Sequence, residues 1–289
     1  MKSVTICTPS FNRVHTLNRL YKSLLVQECI DFEWILVDDG STDYTSDFAE
    51  QVKNEGIIDF TYIYQTNGGK HRAVNKAIDI AEGNCFFILD SDDYLTPDAV
   101  SIILNYFEGI DNDEKIVGVG FNRGYSKDKL IGKTFKGEYI DVSSIERDKY
   151  NILGDKLEVF KTRVLKVNKF PEIPNEKFLS EIVLWTRIAA QGYKIRWVNK
   201  IIYICEYLED GLTANNEKLI KENPYGYALR IKEQIKYANI SYKKKIGYFS
   251  HFYHALRKTK SLSEVASLLD VNPIVIYLSY ILRKVMGRS

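Results

Sequence analysis

Short apolar runs alternate with amphipathic segments through the first third of the chain, and this alternation restricts the possible folds more than any other feature. The apolar runs are rich in β-branched and aromatic residues and occupy residues 4–8, 33–37, 60–64 and 85–89. Helical patterns follow them at residues 14–26, 44–54, 71–81 and 97–107. Such alternation predicts an α/β fold with a mostly parallel sheet and helices on both faces. Ligands of such sheets bind beyond the carboxyl ends of the strands.

The segments that follow the four predicted strands carry most of the polar chemistry of this region. They are residues 8–13 (TPSFNR), 38–43 (DDGSTD), 65–71 (QTNGGKH) and 90–93 (DSDD). Each one alone can be explained as a turn or a helix N-cap. All four fall on the same predicted edge of the sheet, however, and this coincidence favours a ligand site there.

The densest group of acids is DSDD at residues 90–93, directly after an apolar strand. Carboxylates this close raise one another's pKa unless a cation is present. Mg²⁺ and Mn²⁺ prefer a few carboxylate oxygens and complete their coordination with water and phosphate. A divalent cation is therefore one interpretation of the cluster. An acidic helix start, stabilised by the helix dipole, is the other.

Two further segments suit a nucleotide. A carboxylate of Asp38 or Asp39 can accept a hydrogen bond from a base or a ribose. The glycines, Lys70 and His71 at a helix start offer N–H groups and positive charge to a diphosphate, although a solvated loop explains them equally well. The dinucleotide fingerprint GxGxxG and the P-loop GxxxxGK[ST] are both missing. A metal-bound nucleoside diphosphate is the simplest ligand for this edge.

Composition and cysteine spacing set the broad class. The 289 residues include 40 Lys and Arg against 38 Asp and Glu, so the net charge of +2 gives no bulk attraction to nucleic acid. The four cysteines form no CxxC pair, which predicts buried, reduced thiols. No signal-peptide core and no run of about 20 apolar residues is present. We therefore expect a cytoplasmic protein.

The pattern changes along the rest of the chain. Residues 116–121, 157–160 and 194–205 look strand-like, residues 178–190 look helical, and residues 122–155 look irregular. Everything beyond residue 213 looks helical and increasingly basic. We predict a sheet domain at residues 1–213, with halves at 1–106 and 107–213, and a helical extension at 214–289.

TPSFNR, DDGSTD, DSDD and the Gly-Gly-Lys-His-x-Ala-x-Asn stretch at 68–75 together resemble the GT-A-fold glycosyltransferases of family 2. The resemblance is strong over residues 1–100 and weaker to about residue 213. It implies a Rossmann-like GT-A sheet flanked by helices, a nucleotide diphosphate sugar donor, commonly a UDP-sugar, and inverting transfer. It also makes residues 90–93 the DXD motif, which holds Mn²⁺ or Mg²⁺ in this family.

The resemblance assigns roles to individual residues. Thr8, Pro9 and Asp39 would line the nucleoside pocket, with Asp39 contacting the base. Asp92 would bind the metal, and Asp90 would face the ribose and serve as a second candidate metal ligand. The other residues assigned to the donor site are Ser10, Asn12, Arg13, Asp38, Gly68, Lys70, Asn75 and Ser91.

Inverting transfer also needs a base for the acceptor hydroxyl, and residues 178–187 (FLSEIVLWTR) resemble the helix start that supplies it. This makes Glu181 the predicted base. The family often has an acidic pair where this chain has Ser180 and Glu181, and an ordinary acid beside an N-cap serine is the alternative. Residues 207–213 (YLEDGLT) resemble a segment that closes over the donor, although a plain turn explains them equally well.

The predicted activity is sugar transfer to a hydroxyl of a glycan or lipid-linked glycan, as in bacterial surface polysaccharide synthesis. A sugar-1-phosphate nucleotidyltransferase is one alternative, although residues 8–13 lack its glycine-rich loop. A non-catalytic carbohydrate-binding protein is another, against which the retained acids argue. The basic residues 243–245, Arg257 and Lys258, with the aromatic segment 248–253, would contact the cytoplasmic face of a membrane or form a solvated helical face.

Overall fold

The computed structural model describes residues 2–206 and 216–285 and contains a ten-stranded sheet flanked by helices. The strands are β1 (Val4–Ser10), β2 (Phe32–Asp38), β3 (Asp59–Tyr64), β4 (Cys85–Ile88), β5 (Tyr94–Leu95), β6 (Ile116–Ser126), β7 (Lys129–Leu130), β8 (Tyr139–Val142), β9 (Lys156–Lys161) and β10 (Lys194–Ile204). The helices are α1 (Val14–Leu25), α2 (Thr45–Glu55), α3 (Lys70–Ile80), α4 (Ala99–Glu108), α5 (Thr162–Val167), α6 (Ile182–Ala190), α7 (Asn216–Glu222), α8 (Pro224–Tyr237), α9 (Tyr242–Leu256), α10 (Leu262–Leu268) and α11 (Pro273–Val285).

The first four strands form the parallel half of the sheet, in the order β3-β2-β1-β4. All seven residues of β1 and all seven of β2 are buried, as expected for strands that are covered by helices on both faces. Short loops follow β1, β2 and β4 on one edge. The predicted α/β class and the helix-flanked sheet are confirmed.

The second half of the sheet is mixed, which the strand-helix alternation did not indicate. β9 lies antiparallel between β4 and β6, whereas β6 and β10 pair in parallel. Residues 122–155 are less irregular than predicted, because β6 continues to Ser126 and β7 and β8 follow. Apolar and polar residues show little alternation over 122–155, so the sequence did not indicate these strands.

Two apolar layers cover the sheet, one on each face. The layer that contains residues of α1, α2 and α4 packs on one face, with Trp34 and Phe87 at its centre. The layer that contains residues of α3, α5 and α6 packs on the other, around Phe86 and Trp197. All four cysteines are unpaired, as their spacing predicted.

Helices α7 to α11 have a separate apolar core built from residues between Ile220 and Ile276. Phe249 and Phe252 are part of it and are buried, so the aromatic segment at 248–253 is not the membrane-facing surface that the sequence suggested. Helix α8 packs against α6 and carries this helical region onto the sheet domain. The predicted boundary at residue 213 lies outside the described residues.

Candidate donor and acceptor site

Asp90 lies just beyond the carboxyl end of β4 and is held by three side chains. Its carboxylate pairs with Lys70 at the start of α3 and with Arg123 Nη1 at 3.1 Å, and Tyr203 Oη donates to it at 3.2 Å. Burial alone would raise the pKa of Asp90, but the two cations outweigh it and hold the pKa well below its usual range. Asp90 is therefore a fixed anion.

Lys70 connects this acid to the predicted base. Its Nζ pairs with Asp90 and also with Glu181 Oε1, the latter at 2.6 Å. Burial would lower the pKa of Lys70, but the Asp90 and Glu181 carboxylates raise it far above its usual value. The Lys70 ammonium is therefore always charged. Because this one nitrogen pairs with both carboxylates, it holds the end of β4 close to the start of α6.

Glu181 occupies the N-cap position of α6, and its side chain is 37% exposed. The helix begins at Ile182, four residues later than its predicted start at 178. Residues 176–180 therefore form a loop that sets the position of Glu181. The carboxylate is therefore partly accessible to solvent.

Asp92 is the open carboxylate of the 90–93 segment. Burial and the neighbouring Asp90 charge raise its pKa, while Arg13 and Lys70 act in the opposite direction. In the described ranges 2–206 and 216–285, no side chain pairs with Asp92 as Lys70 pairs with Asp90. A divalent cation would relieve this carboxylate, and the residues present fit a metal held through Asp92.

The described residues do not supply a complete metal-binding set. Among the described residues there is no group of three or more His, Cys, Asp or Glu side chains with ligand geometry. Mg²⁺ in general is held by one or two protein carboxylates together with the phosphates of a substrate. Asp90, which is saturated by its partners, is the weaker of the two predicted ligands.

Asp39 organises the glycine loop that precedes α3. Its carboxylate accepts hydrogen bonds from Gln65 Nε2 at 2.6 Å, from Gly68 N at 2.8 Å and from Gly69 N at 2.8 Å. The N–H groups of both glycines, predicted to receive a diphosphate, are therefore occupied by Asp39. The structure assigns Asp39 a loop-ordering contact that sequence reasoning did not anticipate.

At Gly69 the glycine loop that precedes α3 contacts the loop before Glu181. The φ of this glycine, +98°, lies in the region that favours glycine, and an added Cβ would collide with the carbonyl oxygen of Lys177. Arg72 strengthens this contact, since its guanidinium donates to the carbonyl oxygens of Gly68 and Glu176. The two loops thus form one rigid unit.

The first two strand-end loops are bound to each other. Asn12, at a φ of 52°, accepts from Thr42 N through its Oδ1 at 2.8 Å, and its own N–H donates to Ser41 Oγ at 2.9 Å. Asp38 is buried and accepts from Ser41 N and Tyr62 Oη, both at 2.8 Å. These contacts fix the loop that carries Arg13, whose charge acts on Asp92.

Seven predicted donor residues are buried in this structure, and four of them lie in β1 or at residue 91. Thr8 is fully buried, and its hydroxyl accepts from Trp34 Nε1 at 3.0 Å. Ser10 Oγ is also buried and has no hydrogen-bond partner within residues 2–206 and 216–285. Pro9 and Ser91 complete the set. Ser10 Oγ is thus a polar atom that a ligand could still satisfy.

Asn75 lies away from the other predicted residues. Its side-chain amide pairs with both backbone groups of Phe170, at 2.9 Å each, and is buried. The Asn75 amide therefore supports the 168–173 segment in this structure. Residues 207–213, predicted to close over the donor, lie outside the described residues.

Sequence reasoning missed Arg123 and Tyr203. Both lie within strands, near the carboxyl ends of β6 and β10, and the Arg123 guanidinium also stacks over the Tyr203 ring at 4.2 Å. Extending the predicted strand at 116–121 to its observed end at Ser126 would have placed Arg123 in β6. No local pattern in the sequence links either residue to Asp90.

The C-terminal helices also take part in the site. Asn223 Oδ1 accepts from Lys177 N at 2.8 Å and from Phe178 N at 2.9 Å. The Glu176 carboxylate in turn accepts from the N–H groups of Tyr225 and Gly226 at 2.7 and 2.6 Å. The loop before Glu181 is therefore anchored from both sides.

Comparison with known proteins gives a consistent result. A family model described as "Glycosyl transferase family 2" matches residues 5–165. The chain is 28% identical to UDP-Glc:alpha-D-GlcNAc-diphosphoundecaprenol beta-1,3-glucosyltransferase WfaP of Escherichia coli over 263 residues, covering 89% of this chain and 94% of WfaP.

It is also 29% identical to poly(ribitol-phosphate) beta-N-acetylglucosaminyltransferase TarP of Staphylococcus aureus over 172 residues, or 58% of this chain. The chain spans about half of TarP, since the match covers 52% of that relative. Among solved structures, S. aureus TarS 1–349 in complex with UDP-GlcNAc superposes with a TM-score of 0.63 at 20% identity, covering 93% of this chain and 76% of TarS 1–349. That likeness supports the fold.

Proposed function

The chain belongs to glycosyl transferase family 2, and on this premise we propose that it transfers a sugar from a nucleotide diphosphate sugar to a hydroxyl of a glycan or lipid-linked glycan, with inversion at the anomeric carbon. One observation carries the proposal. Lys70 Nζ pairs with Asp90, on the donor side, and with Glu181, on the acceptor side. A single displacement needs this proximity, because donor carbon and acceptor oxygen must meet between the two sides.

Glu181 is the proposed general base. It takes the proton of the acceptor hydroxyl as the oxygen bonds to the anomeric carbon and the bond from that carbon to the diphosphate oxygen breaks. Lys70 holds Glu181 in place before the acceptor arrives, and its ammonium also offers a fixed positive charge to the departing diphosphate. The carboxylate of Asp90, fixed by Lys70 and Arg123, is available to a ribose hydroxyl.

Asp92 is the proposed metal ligand, for Mn²⁺ or Mg²⁺. Such an ion neutralises charge on the leaving diphosphate when it is bound. The open carboxylate of Asp92, whose pKa is raised by burial and by Asp90, supports this assignment. Because one protein carboxylate cannot hold the ion alone, we expect metal and donor to bind together.

The donor and acceptor classes are proposed from the relatives. WfaP uses UDP-Glc and a diphosphoundecaprenol-linked acceptor by its name, and TarP acts on poly(ribitol-phosphate). A UDP-sugar and an acceptor of a bacterial surface polysaccharide follow for this chain. Four free cysteines, of which Cys7 and Cys85 are buried and Cys29 and Cys205 are partly exposed, fit a cytoplasmic location, where a lipid-linked acceptor would be met at the membrane face.

The two alternatives have less support. None of the relatives reported above is a nucleotidyltransferase, and residues 8–13 contain no glycine. A binding protein without activity would not need Lys70 to connect Asp90 with an accessible Glu181. Sugar transfer explains both the family match and this geometry.

Two substitutions test the proposal. Glu181→Gln should lower transfer by about 10²- to 10⁴-fold, as expected for loss of a general base, while UDP-sugar still raises the melting temperature. Asp92→Asn should abolish the increase in transfer caused by Mn²⁺. Glu50→Gln, on the exposed side of α2, is the matched control and should transfer normally. Near-normal transfer by Glu181→Gln would place the base elsewhere, and unchanged Mn²⁺ stimulation in Asp92→Asn would remove Asp92 as a ligand.

A further inference from the structure

Helix α11 presents a continuous apolar face to solvent. Its exposed large side chains include Ile274 at 64%, Leu278 at 53%, Leu282 at 48% and Val285 at 79%. These residues are spaced by three, four or seven positions and therefore lie on one stripe. The other exposed apolar side chains of the helix are Val275, Tyr277 and Ile281.

The opposite side of α11 explains why the helix is nevertheless well placed. Ile276, Ser279 and Tyr280 are buried, and the helix packs on α9 and α10. Tyr280 contacts Tyr253 at a ring distance of 5.2 Å. The apolar stripe is thus not a poorly packed core face, because the helix already has its core contacts. Contiguous exposed apolar surface of this kind marks an interaction site.

The C-terminal region that carries the stripe has a large excess of basic residues. Residues 214–289 contain 14 Lys or Arg and 5 Asp or Glu, whereas residues 1–213 contain 26 and 33. No acid occurs between residues 271 and 289, and Arg283 and Lys284 stand at the C-terminal end of α11. Arg283 Nη1 donates to the carbonyl oxygen of Gly247 at 3.0 Å. This contact sets the end of α11 beside the start of α9, where residues 243–245 are lysines.

We propose that α11 lies in the surface of an anionic lipid bilayer, with its apolar stripe among the acyl chains and the surrounding lysines and arginines at the headgroups. An amphipathic helix with basic flanks and aromatic residues binds membranes in this orientation. Tyr277 suits the boundary, since its ring is apolar and its hydroxyl is polar. The inference rests on the proposed function only in naming the membrane at which a lipid-linked acceptor is met.

The same surface is poorly suited to a second copy of the chain. A twofold contact through α11 would place two regions with an excess of nine positive charges against each other, and like charges repel. An anionic membrane complements the same charge. In the described part of the chain no single helix has the length and apolar character to cross a bilayer, although α10 and α11, bent by 104°, pass that test as a pair.

Vesicle flotation of the full chain tests the proposal. The protein should float with vesicles of phosphatidylcholine mixed with phosphatidylglycerol, and less with phosphatidylcholine alone or at high salt. The double variant Leu278→Ser/Leu282→Ser should bind at least about tenfold more weakly, because two side chains leave the acyl region. Lys243→Gln/Lys284→Gln should lose about fivefold per charge on the anionic vesicles only.

Ile57→Ser/Val167→Ser is the matched control, because both side chains are exposed, at 63% and 81%, on the sheet domain. It should float like the unmodified chain. Equal flotation of Leu278→Ser/Leu282→Ser and the unmodified chain would overturn the proposal, as would absence of flotation altogether. So would a dimer, seen by sedimentation velocity, that the same variant dissociates.

Slow hydrolysis of the UDP-sugar in solution separates this proposal from the proposed function. Leu278→Ser/Leu282→Ser should hydrolyse the donor at the unmodified rate while it fails to float. If no form hydrolyses or transfers the sugar but flotation behaves as expected, the transfer activity is wrong and the membrane surface stands.

Discussion

The sheet domain and the C-terminal helices differ in where they keep their charges. The sheet domain buries acids and bases together, including Asp38, Asp39, Asp93, Lys156 and Lys161. Among residues 216–285 the buried polar side chains are Asn223, Ser250 and Ser279, none of them charged. Burying a charge is costly unless it is paired, so a fold keeps such groups where they take part in binding or chemistry. The sheet domain thus has buried charged side chains of the kind a catalytic site uses, whereas residues 216–285 have none.

The largest expected effect on stability comes from breaking a buried ion-pair group of the sheet domain, compared with breaking a surface ion pair of the C-terminal helices. Arg123→Met leaves Asp90 and Asp93 without their shared guanidinium in a site where Asp93 is 7% exposed, and should lower the free energy of unfolding by about 3 to 5 kcal/mol. Lys232→Met removes the surface pair with Asp270, at 2.9 Å, and should cost at most about 1 kcal/mol. Urea denaturation of both variants gives the comparison. Equal losses would show that the charges of the two regions do not differ in the way described.

A pH-dependent effect belongs to the sheet domain. Burial raises the pKa of Glu158, which lies 3.5 Å from Arg147, from 4.5 to about 7. The folded state therefore binds its proton more tightly than the unfolded state. This contribution to stability is complete below pH 4.5 and is lost as the pH rises through about 7.

Glu158→Gln should consequently gain stability relative to the unmodified chain, by on the order of 3 kcal/mol, between acidic and alkaline pH. Urea denaturation across that range measures the difference. Glu50→Gln, an exposed helix position, should show no such trend. A difference for Glu158→Gln that is independent of pH would mean that folding does not shift the pKa of Glu158.

A smaller effect should follow from breaking the contact between the C-terminal helices and the 176–180 loop. Asn223→Ala removes the acceptor for Lys177 N and Phe178 N, and leaving two N–H groups without it should cost about 1 to 3 kcal/mol. Because those residues precede Glu181, the turnover number for transfer should fall while donor affinity is kept. Asn239→Ala, an exposed position of the helical region, is the control. Unchanged turnover in Asn223→Ala would show that the helices do not position the base.

The smallest effect lies within the C-terminal helices. Ser261 and Glu264 form a capping box at the start of α10, so Ser261→Ala should lower stability by about 1 kcal/mol without any change in transfer. Ser263→Ala, an exposed position inside the same helix, should leave the melting temperature unchanged or slightly higher. A loss of transfer in Ser261→Ala would link α10 to the chemistry and weaken the comparison.

Local patterns made the donor edge predictable. Each of the first four strands is a short apolar run followed by its own polar loop, and the carboxyl ends of parallel strands meet on one edge. Asp90, Lys70 and Glu181 are accordingly found together, as the motifs predicted. The role of each residue in binding or catalysis stays a prediction.

Contacts between distant segments could not be predicted in the same way. Arg123 reaches Asp90 from a strand that pairs in the mixed half of the sheet, and Asn223 reaches residue 177 from another region. Neither residue has a local pattern that indicates its partner. Asn75 shows the converse, since it lies within a family motif but its amide is used by Phe170.

Gly69 has a practical consequence for redesign of donor preference. A library that varies residues 66–69 would alter the loop nearest the proposed donor, but the carbonyl oxygen of Lys177 occupies the space that any side chain at position 69 would need. Substituting Gly69 would displace the 176–180 loop and Glu181 with it. A change intended to alter donor preference would therefore also impair the proposed base for the acceptor. Selection for a new sugar should therefore keep this glycine and vary its neighbours.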